Sequence, residues 1–129
     1  MNVGIDLDGT ITEMPQLFAV LTNALITTGN EVHIITYRDD TKEEVAKELK
    51  NLGVSFTEIW LPNKDVNPVA WKSELAKVLD LDIMFEDSPE VLDGMPEKVK
   101  RIWICNQEIF NLKICIAALK ADTRIALIE

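Results

Sequence analysis

The feature that most constrains this chain is its regular alternation of short β-rich apolar runs with stretches of helical periodicity. The run NVGIDL at residues 2–7 is short, apolar and closed by acid, which suits a buried strand. The next stretch, MPQLFAVLTNALITTG, carries Phe18, Leu21 and Leu25 on one helical stripe and Gly29 as a stop. EVHIIT at 31–36 reads as a second strand. Thr41 and Glu44 then form a capping box that opens a helix ended by Gly53. SFTEIWL is a third strand, and Asn67-Pro68 offers an N-cap and an N1 proline for a helix through Leu79. DIMF at 82–85 and RIWIC at 101–105 supply a fourth and a fifth strand. From Gln107 we expect a helix to about Lys120 and a short strand, TRIALI. Strands separated by helices predict a mainly parallel sheet covered on both faces. The expectation is one α/β domain over residues 1–129, a Rossmann-like three-layer sandwich with five or six strands.

Composition narrows the chemistry. The formal net charge is −9, which leaves no broad basic surface for duplex nucleic acid. No apolar run approaches the roughly 20 residues of a membrane span. The opening MNVGIDLDGT lacks a basic n-region, so no signal peptide is expected. Cys105 and Cys115 show no paired metal spacing and read as small buried hydrophobes, making a reducing, cytoplasmic setting the default. One histidine, His33 inside the second strand, excludes a zinc site and argues against a Ser-His-Asp hydrolase; it reads as structural. Trp60, Trp71 and Trp103 read as core. Chemistry is left to carboxylates, lysine, hydroxyls and an oxygen-loving metal.

In a parallel sheet of this kind, ligands bind beyond the carboxyl ends of the strands. Those ends carry Asp6-Leu7-Asp8-Gly9-Thr10, Thr36-Tyr37-Arg38 and Glu86-Asp87-Ser88, with Lys72 on the helix before the fourth strand and Lys64 after the third. Such residues suit phosphoryl transfer through an aspartyl-phosphate. A carboxylate and a phosphate dianion repel, and Mg²⁺ with oxygen ligands offsets that charge. Asp6 would attack phosphorus and bind metal. Asp8, two residues on, is expected on the same side, its pKa raised by neighbouring acids, as general acid and then base. Gly9 allows a sharp turn and Thr10 ties it down. Asp87 or Glu86 would complete a metal set drawn from Asp6, Asp8, Glu86 and Asp87. Gly9, Thr10, Thr36, Tyr37, Arg38 and Lys72, or Lys64 in place of Lys72, would contact the substrate, with Arg38 open between substrate contact and salt bridge.

DLDGT after an N-terminal apolar strand resembles the hhhhDxDGT signature of the haloacid dehalogenase-like (HAD) hydrolases. IITYR is similar to that superfamily's second motif, Lys72 to its third, and Glu86-Asp87 to its fourth, so the likeness spans residues 3 to about 92. It implies a Rossmann-like core and a Mg²⁺-dependent phosphatase with Asp6 as nucleophile and Asp8 as acid/base. A fainter likeness is to nucleotidases of the deoxyribonucleotidase type, which would make the substrate a nucleotide. Residues 11–35 and 39–63 leave no room for a cap domain. A bare site would be open to solvent unless a neighbouring subunit or a large substrate covers it, and the apolar stretch from Asn111 is a candidate for self-association. Two other readings compete. One is a non-catalytic phosphate-binding or regulatory module on the same fold. The other is a phospho-acceptor receiver domain, whose order of acids and lysine differs from this one.

Overall fold

The computed structural model describes residues 1–63 and 65–105. Five strands form one sheet, β1 (Asn2–Ile5), β2 (Glu31–Ile35), β3 (Glu58–Trp60), β4 (Ile83–Glu86) and β5 (Lys100–Trp103). Their spatial order is β3-β2-β1-β4-β5, and every pairing is parallel. Helices α1 (Pro15–Thr27), α2 (Lys42–Asn51), α3 (Pro68–Val78) and α4 (Pro89–Asp93) connect them. The α/β sandwich is as expected. The helix and strand foreseen after Gln107, the apolar stretch from Asn111, Cys115 and Lys64 lie outside the described residues.

Strand periodicity divides the core between two faces. Val3, Ile5, Val32 and Ile34 pack with Phe18 of α1 and Val45 and Leu49 of α2. Phe18 also meets Phe85 edge-on, with ring centroids 5.6 Å apart. Ile35 and Met84 face the other way, toward Ala76 of α3 and Val91 and Leu92 of α4. Gly4 points to this second face, where an added Cβ would fall 2.7 Å from Leu81 and 2.8 Å from the Met84 sulfur. A larger residue there would have to push the ends of the Leu81 and Met84 side chains aside.

Local signals hold where they are chemical. The Thr41 hydroxyl accepts from the Glu44 N–H at 3.2 Å, and the Glu44 carboxylate accepts from the Thr41 N–H at 2.9 Å. Asn67 caps α3 by accepting from the Ala70 N–H at 3.1 Å, with Pro68 at its first position. α4 was not foreseen, although Ser88 before it, Pro89 at its first position and Gly94 after it are boundary residues. β1 ends at Ile5, short of Leu7, because the chain turns out of the sheet over Leu7–Ile11, where Asp8 is extended and Gly9 has positive φ. Trp60 and Trp71 pack against the second core, but Trp103 is 39% exposed. Cys105 is half-buried and disulfide-bonded, which removes the ground on which a reducing setting was expected.

Candidate active site

The site follows from register. Ile5 pairs with Phe85, and the Asp6 N–H donates to the Phe85 carbonyl at 3.0 Å, so Asp6 and Glu86 stand side by side at adjacent strand ends. Asp6 lies two residues after Gly4 and Glu86 two after Met84, so both continue on the face that α3 covers. From α3, Lys72 reaches between them. Its ammonium donates to Asp6 Oδ1 at 2.9 Å and to Glu86 Oε2 at 2.8 Å. The Thr10 hydroxyl donates to Asp6 Oδ2 at 3.1 Å. Asp6, Lys72 and Glu86 are all at most 4% exposed.

Two acids against one buried lysine leave excess negative charge, and Asp87 adds to it. Carboxylate oxygens of Asp6, Glu86 and Asp87, one from each, lie within 4.8 Å of one another. Burial pushes the Asp6 carboxyl up, Lys72 pulls it back and Asp87 pushes it up again, to about 6. Burial and the neighbouring Asp6 push Glu86 up to about 8 against the pull of Lys72. Lys72 loses to burial but gains more from its two partners, and is raised. A cluster that holds protons this tightly is short of positive charge.

Gly9 makes the cluster possible. Its φ is +78°, and a Cβ there would lie 2.7 Å from Asp87 Cγ and closer still to Oδ2. The turn is tied by Thr12, whose hydroxyl accepts from the Gly9 N–H at 2.9 Å, a role the sequence did not single out. Gly9→Ala is therefore expected to displace the Asp87 carboxylate and to cost about 1–2 kcal/mol for the left-handed backbone alone. A melting temperature equal to wild type would refute that.

Asp8 is tied to an arginine rather than to the other acids. Asp8 joins no acidic cluster; Arg38 Nε and Nη2 grip its two oxygens at 2.7 and 2.5 Å. That hydrogen bonding lowers its pKa, opposite to the expected rise. Among the described residues the candidate metal set is therefore Asp6, Glu86 and Asp87 without the Asp8 carboxylate. Arg38 resolves as a salt bridge, held also by Asp40 at 3.3 Å and by Glu48 at 2.5 Å. Glu48, on α2, carried no signal in the sequence.

Thr36 follows β2 and is fully buried, and its hydroxyl is the one buried side-chain polar atom without a partner among the described residues. Such an orphan costs roughly 1–3 kcal/mol unless a water or a ligand oxygen accepts from it. Tyr37 is committed elsewhere; its hydroxyl donates to the Val66 carbonyl at 2.8 Å. An open depression of about 310 Å³ is lined by Tyr37, Arg38, Asp39, Pro62, Asn63 and Asp65. His33 is structural as expected. Its Nδ1 accepts from the Trp60 indole N–H at 3.0 Å, and burial lowers its pKa. The exposed Trp103 donates its indole N–H to the Asp87 carbonyl at 2.9 Å, bracing the acidic strand end.

No family model and no curated protein matches the chain. Among solved structures, it is similar to an uncharacterized protein from Corynebacterium glutamicum, at 18% identity and a TM-score of 0.58. The match covers 91% of this chain and 92% of that one. At that identity the likeness shows the fold alone. None of the described helices is long and apolar enough to cross a membrane.

Proposed function

We propose that the protein is a Mg²⁺-dependent phosphomonoesterase that works through an aspartyl-phosphate on Asp6. The observation that carries this is Asp6 itself, a buried strand-end carboxylate. It is oriented by Lys72 and Thr10 and flanked by two further acids that are short of positive charge. The likeness of DLDGT, Thr36, Lys72 and Glu86-Asp87 to the HAD motifs supports the same reading.

In this reading an Asp6 oxygen attacks phosphorus and the bond to the leaving-group oxygen breaks. Asp8 donates a proton to that oxygen, from a protonated form that it must reach against the pull of Arg38. Water then attacks the phosphoryl group, Asp8 takes a proton from it, and the Asp6–phosphorus bond breaks to release phosphate. Each Asp6 oxygen keeps a lone pair beyond the one its partner uses. Lys72 offsets charge on the incoming phosphate, and the orphan Thr36 hydroxyl donates to a phosphate oxygen. The depression beside Tyr37 and Asn63 receives the leaving group of a small phosphorylated substrate, a nucleotide among the candidates.

The donor set fits a hard divalent cation, because it offers oxygen alone and carries unneutralised charge. Asp6, Glu86 and Asp87 would hold it. When bound, Mg²⁺ would neutralise the repulsion between Asp6 and the phosphate dianion. Turnover of an aryl phosphate is expected with Mg²⁺, with Mn²⁺ or Co²⁺ substituting. Full activity in excess chelator would sink the reading.

Binding also has a readout without substrate. With Asp6 raised to about 6 and Glu86 to about 8, the folded state holds protons that the unfolded state has released. Metal-free stability contributed by these acids therefore falls as pH rises through that window. A cation must displace those protons, so it binds better as pH rises. The rise in melting temperature on adding Mg²⁺ is expected to be small at pH 5 and largest at pH 8. Taking the difference with and without Mg²⁺ cancels the opposing effect of His33. At a hundredfold excess over Kd the gain is about 2.7 kcal/mol. A Mg²⁺ shift that shrinks with pH would contradict the assignment.

A further inference from the structure

We propose that Arg38, braced by Glu48 of α2, is a positioning residue that sets the direction of the Asp8 carboxylate. The proposal rests on the phosphomonoesterase reading. One side of the guanidinium lies fork-to-fork on Asp8, with Nε on Oδ2 at 2.7 Å and Nη2 on Oδ1 at 2.5 Å. Nη1 donates to Glu48 Oε2 at 2.5 Å, Nη2 reaches Glu48 Oε1 at 3.4 Å, and Asp40 adds a contact at 3.3 Å. A paired fork of this kind fixes the plane of a carboxylate as well as its position.

The geometry is unlike that of a substrate ligand. A phosphate approaching Arg38 would meet three carboxylates that already take up its charge. The burial pattern also runs the right way for a brace. The Arg38 side chain is 19% exposed, whereas that of Asp8 is 58% exposed. The rigid member is the arginine, and the member that needs holding is the aspartate. Glu48 belongs to a capped helix, so the brace is tied to regular structure. Asp8 stands only two residues from Asp6. Unheld, its carboxylate could swing toward the acidic cluster, where a bound cation would capture it and no proton donor would face the leaving group. Arg38 keeps it out.

The test is a double-mutant cycle read on two leaving groups. With an alkyl phosphate, Arg38→Ala is expected to lower kcat by roughly 10–100-fold, a share of the 10²–10⁴-fold that general acid–base catalysis supplies. An aryl phosphate, which leaves without protonation, should lose less in the first step. In an Asp8→Asn background Arg38→Ala should cost nothing further, because Arg38 acts through Asp8. Arg38→Lys should not rescue, since one ammonium cannot hold both oxygens. Glu48→Gln, which keeps shape and fold, should share the leaving-group signature at smaller size. Losses that multiply across the cycle, or that ignore the leaving group, would overturn the proposal. Crystal structures of Arg38→Ala and Glu48→Gln give a readout independent of turnover. Asp8 should leave its present orientation in the first and be less ordered in the second; an Asp8 unmoved in both would overturn the proposal. If the wild type hydrolyses no phosphate ester, the phosphomonoesterase reading fails, and the crystal structures still decide whether Arg38 orients Asp8.

Discussion

Asp6→Asn is expected to reduce turnover of every phosphate ester to background, because it removes the nucleophile and one of the oxygen donors together. Asp8→Asn should behave differently. An amide cannot supply the proton that a poor leaving group needs, so alkyl phosphates should suffer a defect of roughly 10²–10⁴-fold. An activated aryl phosphate leaves unaided, and its first step should largely survive. Hydrolysis of the aspartyl-phosphate would still lack its base, so phosphoenzyme should accumulate in Asp8→Asn after a rapid acid quench. The same quench should trap nothing in Asp6→Asn. Phosphoenzyme on Asp8 in the Asp6→Asn protein would reverse the two roles.

Lys72→Met is expected to have the largest effect on stability. The ammonium is the partner of two buried carboxylates, at 2.9 and 2.8 Å, and methionine fills similar space without charge. Breaking a buried pair by removing one partner costs about 3–5 kcal/mol. The loss should depend on pH in a definite direction. At pH 5 Asp6 and Glu86, raised to about 6 and about 8, both carry protons and need no counter-charge. At pH 8 Asp6 has lost its proton and Glu86 is losing its own, so the variant should be most destabilised there. Mg²⁺ should restore part of the deficit at pH 8, and turnover should stay low because the charge opposite the phosphate is gone. Unfolding midpoints at the two pH values, with and without Mg²⁺, test all of this. An equal loss at both would show that the pair carries no net ionic stabilisation.

Helices announced themselves through caps and stripes, because a capping box or an Asn-Pro pair is satisfied within four residues. The Thr41–Glu44 box and the Asn67 cap formed as read. Strands were found in place, yet their ends were misjudged. The run NVGIDL reads as strand through Leu7, whereas the chain turns out of the sheet just after Asp6, over Leu7–Ile11, with Gly9 at positive φ. The expected rise in the Asp8 pKa failed for a reason of range, because Arg38, thirty residues away, grips both of its oxygens and lowers it. The missed short helix α4 has boundary residues but too few turns to show a period.

By itself the sequence determined the class of fold and the kind of chemistry on offer. Alternating periods of 2 and 3.6 dictate a covered parallel sheet, and acids, one hydroxyl and one lysine near strand ends dictate oxygen and charge chemistry. Tertiary structure alone decided which of these groups meet. The order β3-β2-β1-β4-β5 puts Asp6 beside Glu86, eighty residues away, and brings Lys72 between them. It also sent Asp8 to Arg38 and Arg38 to Glu48, pairings separated by thirty and ten residues. The physical reason is one of range. Caps, stripes and turns are energies of neighbouring residues, so they can be read locally. A pKa, an ion pair and a metal set depend on distances between chain segments that only the packed sheet establishes.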